Sequence, residues 1–152
     1  MNTIALPPRT DSAKLLENGH SYHRWDVLIV SARTENGKAL MRILSDLPIN
    51  VFAATTIAQA REVLAKHSVE MIFCEEFLPD GTYRELLEFV IAESSLTAFV
   101  VTLCTGEWDE YLEAIHLGAT DVLRCPLQTI DVELVLIRAG RENKRHLPDL
   151  LA

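Results

Sequence analysis

Two acidic residues, Glu75 and Glu76, close the apolar run from Met71 to Cys74, and Cys74, Cys104 and Cys125 each stand at the end of such a run. Carboxylates in that position can hold a hard divalent ion or accept a transferred group, whereas thiols bind soft metals or exchange electrons. Three cysteines are an odd number and show no Cys-x-x-Cys spacing, so neither a disulfide framework nor a zinc knuckle is indicated. The first expectation is buried, unpaired thiols that fill space. A second reading stays open, in which Cys104, Cys125 and Glu75 line a pocket that senses a small ligand, a metal or an oxidant. His20 and His23 lack an acidic or thiol partner and read as loop residues, His67 as a partner for a helix C-terminus, and His116 as a helix-surface residue. No nucleophile–base pair and no phosphate-cradling loop occurs, so no enzymatic reaction is expected.

Such residues act only if a scaffold brings them together. With 152 residues, 49% of them hydrophobic and 24% charged, the chain fits one ordinary globular domain. Its apolar runs are too short to span a bilayer and no secretory leader is evident, so the expected location is the cytoplasm, with no membrane partner. Fourteen Lys and Arg against 22 Asp and Glu give a net charge of -8, a field that repels phosphate backbones. Nucleic-acid binding by this domain alone is not expected.

Residues 1–25 carry Pro7-Pro8 and Asn18-Gly19 and read as an extension, a loop or a short helix. From residue 26 to 142, short apolar runs alternate with helical periods. The runs are Val27 to Val30, Val51 to Ala54, Met71 to Cys74, Phe99 to Leu103 and Asp121 to Leu123, and the central ones lack in/out alternation, as strands covered on both faces do. Between and after them, apolar residues recur at spacings of three and four and predict five amphipathic helices. The sum is a three-layer α/β fold, (βα)5, with an open parallel sheet in the order 2-1-3-4-5. Residues 143–152 read as a tail or linker. In such a sheet, function gathers at the carboxyl ends of the strands beside the switch point between strands one and three. Ser31, Ala32 and Arg33, Glu75 and Glu76, Cys104, and Arg124, Cys125 and Pro126 fall there.

Two segments resemble a known family. Glu70 to Gly81, EMIFCEEFLPDG, is similar to the third strand and following loop of bacterial response-regulator receiver domains, where an aspartate precedes a Pro-Asp-Gly turn by four residues; here that position is Glu75. Leu117 to Pro126, LGATDVLRCP, is similar to the family's segment through strand five, with Cys125 in place of its lysine. The resemblance implies a CheY-like, flavodoxin-like fold and a phosphorelay role. It also implies a phosphotransfer site built from an acceptor aspartate, an acidic pair holding Mg²⁺, a hydroxyl, a lysine and an aromatic switch. Those positions map onto Glu75, onto Ser31 and Ala32, onto Thr102 or Leu103, onto Cys125 and onto Val122.

Nearly every one departs from the pattern, so the expectation is a degenerate receiver without Mg²⁺ that signals by protein contact. Glu75 is either a partial phosphoaspartate mimic or a solvated carboxylate of no further role, and Glu76 is expected at the surface. The surface of the fourth helix, with Trp108, Tyr111, Glu107 and Glu110, is the expected partner face, and a homodimer through helix four, strand five and helix five is one form it could take. The acids Glu107, Asp109, Glu110 and Glu113 are expected to be solvated.

Overall fold

A computed structural model describes residues 3–4, 24–93, 96–104 and 107–142. In chain order the elements are β1 (Thr3–Ile4), β2 (Trp25–Val30), α1 (Thr34–Ser45), β3 (Ile49–Ala54), α2 (Ile57–Lys66), β4 (Met71–Glu75), β5 (Phe77–Leu78), β6 (Gly81–Thr82), α3 (Tyr83–Glu93), β7 (Ala98–Leu103), α4 (Trp108–Leu117), β8 (Asp121–Arg124) and α5 (Thr129–Glu142). The sheet runs β1-β3-β2-β4-β7-β8, and its five long strands are parallel in the expected 2-1-3-4-5 order.

The hydrophobic runs explain the layers. Along each strand successive side chains face opposite sides, so a strand that is apolar throughout can bury both. Leu28, Val30, Ile72, Cys74, Phe99 and Val101 face α2, α3 and α4 through Ile57, Ala60, Val63, Leu86, Leu87 and Ala114. Val27, Ile29, Met71, Phe73 and Val100 face α1 and α5 through Leu40, Leu44, Val132, Val135 and Leu136. Each such fully buried aliphatic side chain contributes about 2 kcal/mol.

Helix ends follow local chemistry. Thr56 caps α2, its hydroxyl accepting from Gln59 N–H at 3.0 Å, while the Gln59 side chain accepts from Thr55 N–H at 2.8 Å. Gly118 ends α4 in the left-handed conformation at φ 111°.

Two features depart from the sequence reading. The indole of Trp25, placed in the extension, opens β2 and is fully buried against α1 and α5, so the core begins one residue earlier than expected. Thr3–Ile4 adds an antiparallel edge strand on β3, pairing Thr3 with Phe52 and Ile4 with Val51. The expected short helix, His20, His23 and the tail 143–152 lie outside the described residues.

A Cβ on residue 118 would stand 2.8 Å from Ile91 Cδ1 and force an L side chain to positive φ. Gly118→Ala is expected to cost about 1–3 kcal/mol, read as a lower urea midpoint at unchanged slope.

Candidate functional site

The carboxyl end of β4 delivers Glu75 to the switch point, where β2 and β7 flank it. Glu75 is only 5% exposed. Four groups satisfy it. Ser31 Oγ donates to Oε2 at 2.7 Å and Asn36 Nδ2 to the same oxygen at 3.2 Å. The backbone N–H groups of Ala32 and Arg33 donate to Oε1 at 3.0 and 3.2 Å. Ala32 and Arg33 lie just ahead of the first turn of α1, whose positive end adds to the stabilisation of a negative charge. Glu75 is thus a buried anion held by four donors, and the reading of it as a solvated carboxylate is corrected: the loop after β2 folds onto it.

Asp80 does the same for the next helix. From the turn between β5 and β6 its two oxygens accept from Ile57 N–H at 2.9 Å and Ala58 N–H at 3.1 Å, and these bonds hold its carboxyl below the usual carboxylate range. The tight turn needs Gly81, at φ 152°. One connection, from β4 to α3, therefore sends carboxylates to the amino ends of both α1 and α2.

Glu76 was expected at the surface and is instead 6% exposed. It is hydrogen-bonded to Glu110, and its carboxyl is pushed up to about 7, first by burial, then by the bond to and repulsion from Glu110, with Arg84 opposing. The face expected to be solvated on α4 is correspondingly divided. Glu107 and Asp109 are exposed, Glu110 is half-buried against Glu76, and Glu113 forms a bidentate pair with Arg84 at 2.6 and 2.9 Å. Trp108 and Tyr111 stack with ring centroids 5.1 Å apart, and Trp108 is 60% exposed. Of the four residues expected on a partner face, Trp108 and Glu107 are exposed and Tyr111 and Glu110 are half-buried.

Of the two positions mapped for a hydroxyl, Leu103 packs in the core beside Val122, and Thr102 is buried with its hydroxyl donating to Cys74 O at 3.4 Å. The residue at the mouth is Cys104, which receives a bond from Asn36 Nδ2 at 3.3 Å. Counting back from Gly118 could not find it, because the strand end is fixed by the pairing of Leu103 with Arg124. The next residues on the two strands, Cys104 and Cys125, form a disulfide with Cα atoms 4.8 Å apart. The expectation of three buried, unpaired thiols is corrected for these two: Cys104 is exposed and Cys125 half-buried. Cys74 alone fits it, with its thiol pushed up by burial and by the neighbouring charge of Glu75.

The space left beside Glu75 is about 60 Å³, lined by Arg33, Asn36, Glu75, Glu76, Phe77, Thr102 and Cys104. At ~30 Å³ per molecule that is room for about two waters. The residues do not fit a magnesium ion: both Glu75 oxygens are engaged, Ser31 and Ala32 bring no carboxylate, and among the described residues no group of three or more His, Cys, Asp or Glu could hold a metal.

Comparison with known proteins agrees with this architecture. The signal receiver domain of an HD domain-containing protein from Pseudomonas fluorescens superposes with a TM-score of 0.74 at 22% identity, covering 80% of this chain and 98% of that one. A CheY-like response regulator receiver domain protein from Methanospirillum hungatei gives 0.73 at 17% identity, over 80% and 98%. The fold is that of a response-regulator receiver domain. In sequence, the receiver-fold chain is 25% identical over 104 residues to the response regulator protein PilR of Pseudomonas aeruginosa, which is 68% of this chain and 23% of that protein. The chain thus spans under a quarter of that relative's length. No protein-family model matches it.

Removing a buried acceptor strands its donors. Glu75→Ala is expected to cost about 3 kcal/mol in urea denaturation, and Glu75→Gln less, since an amide oxygen can still accept from Ala32 and Arg33. Glu76 gives a pH signature. Folded Glu76 holds its proton more tightly than an unfolded glutamate, whose ordinary value is 4.5, so its contribution is fully present below about 4.5 and is lost as pH rises through about 7. Stability should fall across that window in the wild type, and Glu76→Gln should flatten that part of the profile.

Proposed function

We propose that this chain is a degenerate receiver, a regulatory module of two-component-type signal transduction that works by protein contact and accepts no phosphoryl group. One observation carries the proposal: the Glu75 carboxylate, at the position of the acceptor, has both oxygens committed to Ser31, Ala32, Arg33 and Asn36. Phosphoryl transfer needs an acceptor oxygen free to attack and cations to offset the incoming charge. Here the donors that face Glu75 are neutral, and Cys125 stands where the resemblance implies a lysine. The resident anion fills the role that a bound phosphoryl oxygen would have, so the pocket is held in one condition. No Mg²⁺ dependence and no enzymatic step are proposed, and the setting is the cytoplasm of a bacterium.

The partner-facing surface in this reading is that of α4 and α5. Trp108, Leu112 and Ile115 share one face of α4 and are exposed, as are Ile130 and Leu134 on α5. Stacked aromatics beside acids suit a protein partner, which could be a second copy, better than a nucleic acid. The alternative, a small-molecule sensor in the former phosphate pocket, is disfavoured by the 60 Å³ that remain there.

Acetyl phosphate, or beryllofluoride with Mg²⁺, is expected to leave the amide NMR spectrum and the sedimentation coefficient unchanged. Saturable, Mg²⁺-dependent modification of Glu75 would overturn the reading.

A further inference from the structure

We propose that Cys104 and Cys125 are a reversible dithiol–disulfide couple, a redox modification site that sets the freedom of α4. The chemistry of the couple stands on its own geometry; its regulatory consequence rests on the proposal that α4 carries the partner surface.

The pairing is built by the sheet and not by the sulfurs. β7 and β8 are hydrogen-bonded parallel neighbours up to Leu103 and Arg124, and Cys125 N–H donates to Leu103 O at 3.0 Å one residue further on. Cα atoms 4.8 Å apart lie inside the range a disulfide spans. Because backbone bonds hold that spacing, the bond can open and close within the folded state. Access is also selective. Cys104 is exposed and Cys125 half-buried, so a small thiol can reach them, whereas Cys74 is fully buried, its thiol is pushed up by burial, and its S–H donates to the Glu75 carbonyl at 3.3 Å. Redox chemistry is confined to one pair of the three cysteines. Disulfides in a reducing compartment are as a rule transient or redox-sensing, and the proposed cytoplasmic setting is one.

The couple exchanges two electrons with a low-molecular-weight thiol such as glutathione. One thiolate attacks a sulfur of the pair, forming a mixed disulfide and expelling the other cysteine as a thiolate, which takes up a proton. A second thiolate attacks the mixed disulfide at the glutathione sulfur, releasing glutathione disulfide and the remaining cysteine thiolate, which is protonated in turn. The protein gains two electrons and two protons, the glutathione pair loses them, and oxidation is the reverse with glutathione disulfide as acceptor.

The lever is short. Cys104 precedes Glu107, the residue that caps α4, by three positions in the chain, and the bond ties Cys104 to the end of β8. It also fixes the sulfur that Asn36 bonds while Asn36 holds Glu75. Once the bond opens, Glu76–Glu110 and Arg84–Glu113 still secure the body of α4, but its amino-terminal turn, with Trp108, loses its covalent anchor.

The test equilibrates the folded chain across glutathione/glutathione disulfide ratios, followed by native alkylation, mass spectrometry and amide exchange. The expected result is an oxidised form without accessible thiols and a reduced form two hydrogens heavier, with Cys104 and Cys125 alkylated and Cys74 protected. The reduced form should melt lower by about 10 °C, from losing a cross-link over 21 residues. Amide exchange in the first turns of α4 should rise severalfold, and Cys125→Ser should lose all redox dependence. Thiols that stay free at every ratio, a bond that glutathione opens only on unfolding, or identical α4 exchange in both forms would each overturn the proposal; these wild-type arms decide if the serine variant misfolds. Beryllofluoride with Mg²⁺ is added to both forms as a separate arm. A response there sinks the phosphate-independent reading and leaves the couple intact, whereas a failed titration with no such response sinks the couple alone.

Discussion

A carboxylate buried at the end of a parallel strand must find donors or take up a proton, and much of the geometry around the switch point follows from how Glu75 meets that requirement. Its partners come from one stretch, Ser31 to Asn36, and include two backbone N–H groups at the entry to α1. Those amides belong to a helix approach whose own residue, Arg33, supplies no side-chain cap. Glu75 and α1 therefore satisfy each other across the sheet: the helix end gains an acceptor and the strand end gains donors. With its donors fixed by helix and sheet, the carboxylate has little freedom to respond to an incoming group.

The same economy repeats along the connection from β4 to α3. Asp80 serves the first turn of α2, and Glu76 meets Glu110 of α4. Three acids within six residues thus address three helices on both faces of the sheet. The third differs in kind. Glu75 and Asp80 accept from neutral donors, whereas Glu76 faces another acid, and burial and that neighbour push its carboxyl up to about 7. The contact of Glu76 with α4 is the tie of the three whose carboxyl is pushed toward neutral pH, and α4 is also the helix with the most exposed apolar side chains at helical spacing.

The parallel sheet, its strand order and its helix faces were legible in the sequence because they rest on local signals. Runs such as Met71 to Cys74 and the four- and three-residue spacing of Leu40, Leu44 and Leu47 each report on burial directly. What was hidden depends on register between distant strands. Cys104 and Cys125 are 21 residues apart and carry no spacing motif, yet the β7–β8 register sets them side by side. Glu76 looked like a surface acid because nothing local announces that α4 will cover it. Glu75 could be placed at a strand end, but its four donors could not, since three of them belong to backbone or to an asparagine 39 positions away. Trp25 was read with the polar segment before it, though a large aromatic next to the first strand run was a signal that the run began there.

Electrostatics explains why these departures belong together. A receiver's acidic pair and acceptor aspartate place three carboxylates in one small site, an arrangement that mutual repulsion makes costly without a divalent cation. Here Ser31 and Ala32 bring no carboxylate, Glu76 turns to Glu110, and a hydroxyl, two amides and an asparagine suffice for Glu75. The longer glutamate side chain reaches these donors from the strand end, where both oxygens become occupied. In the proposed reading a cation at position 125 would have no phosphoryl charge to answer, and the position is open to a residue whose value lies in what stands beside it across the strand, which is Cys104. In the proposed reading, Ser31 and Ala32, Glu75 and Cys125 are in this sense one electrostatic change expressed at three strand ends.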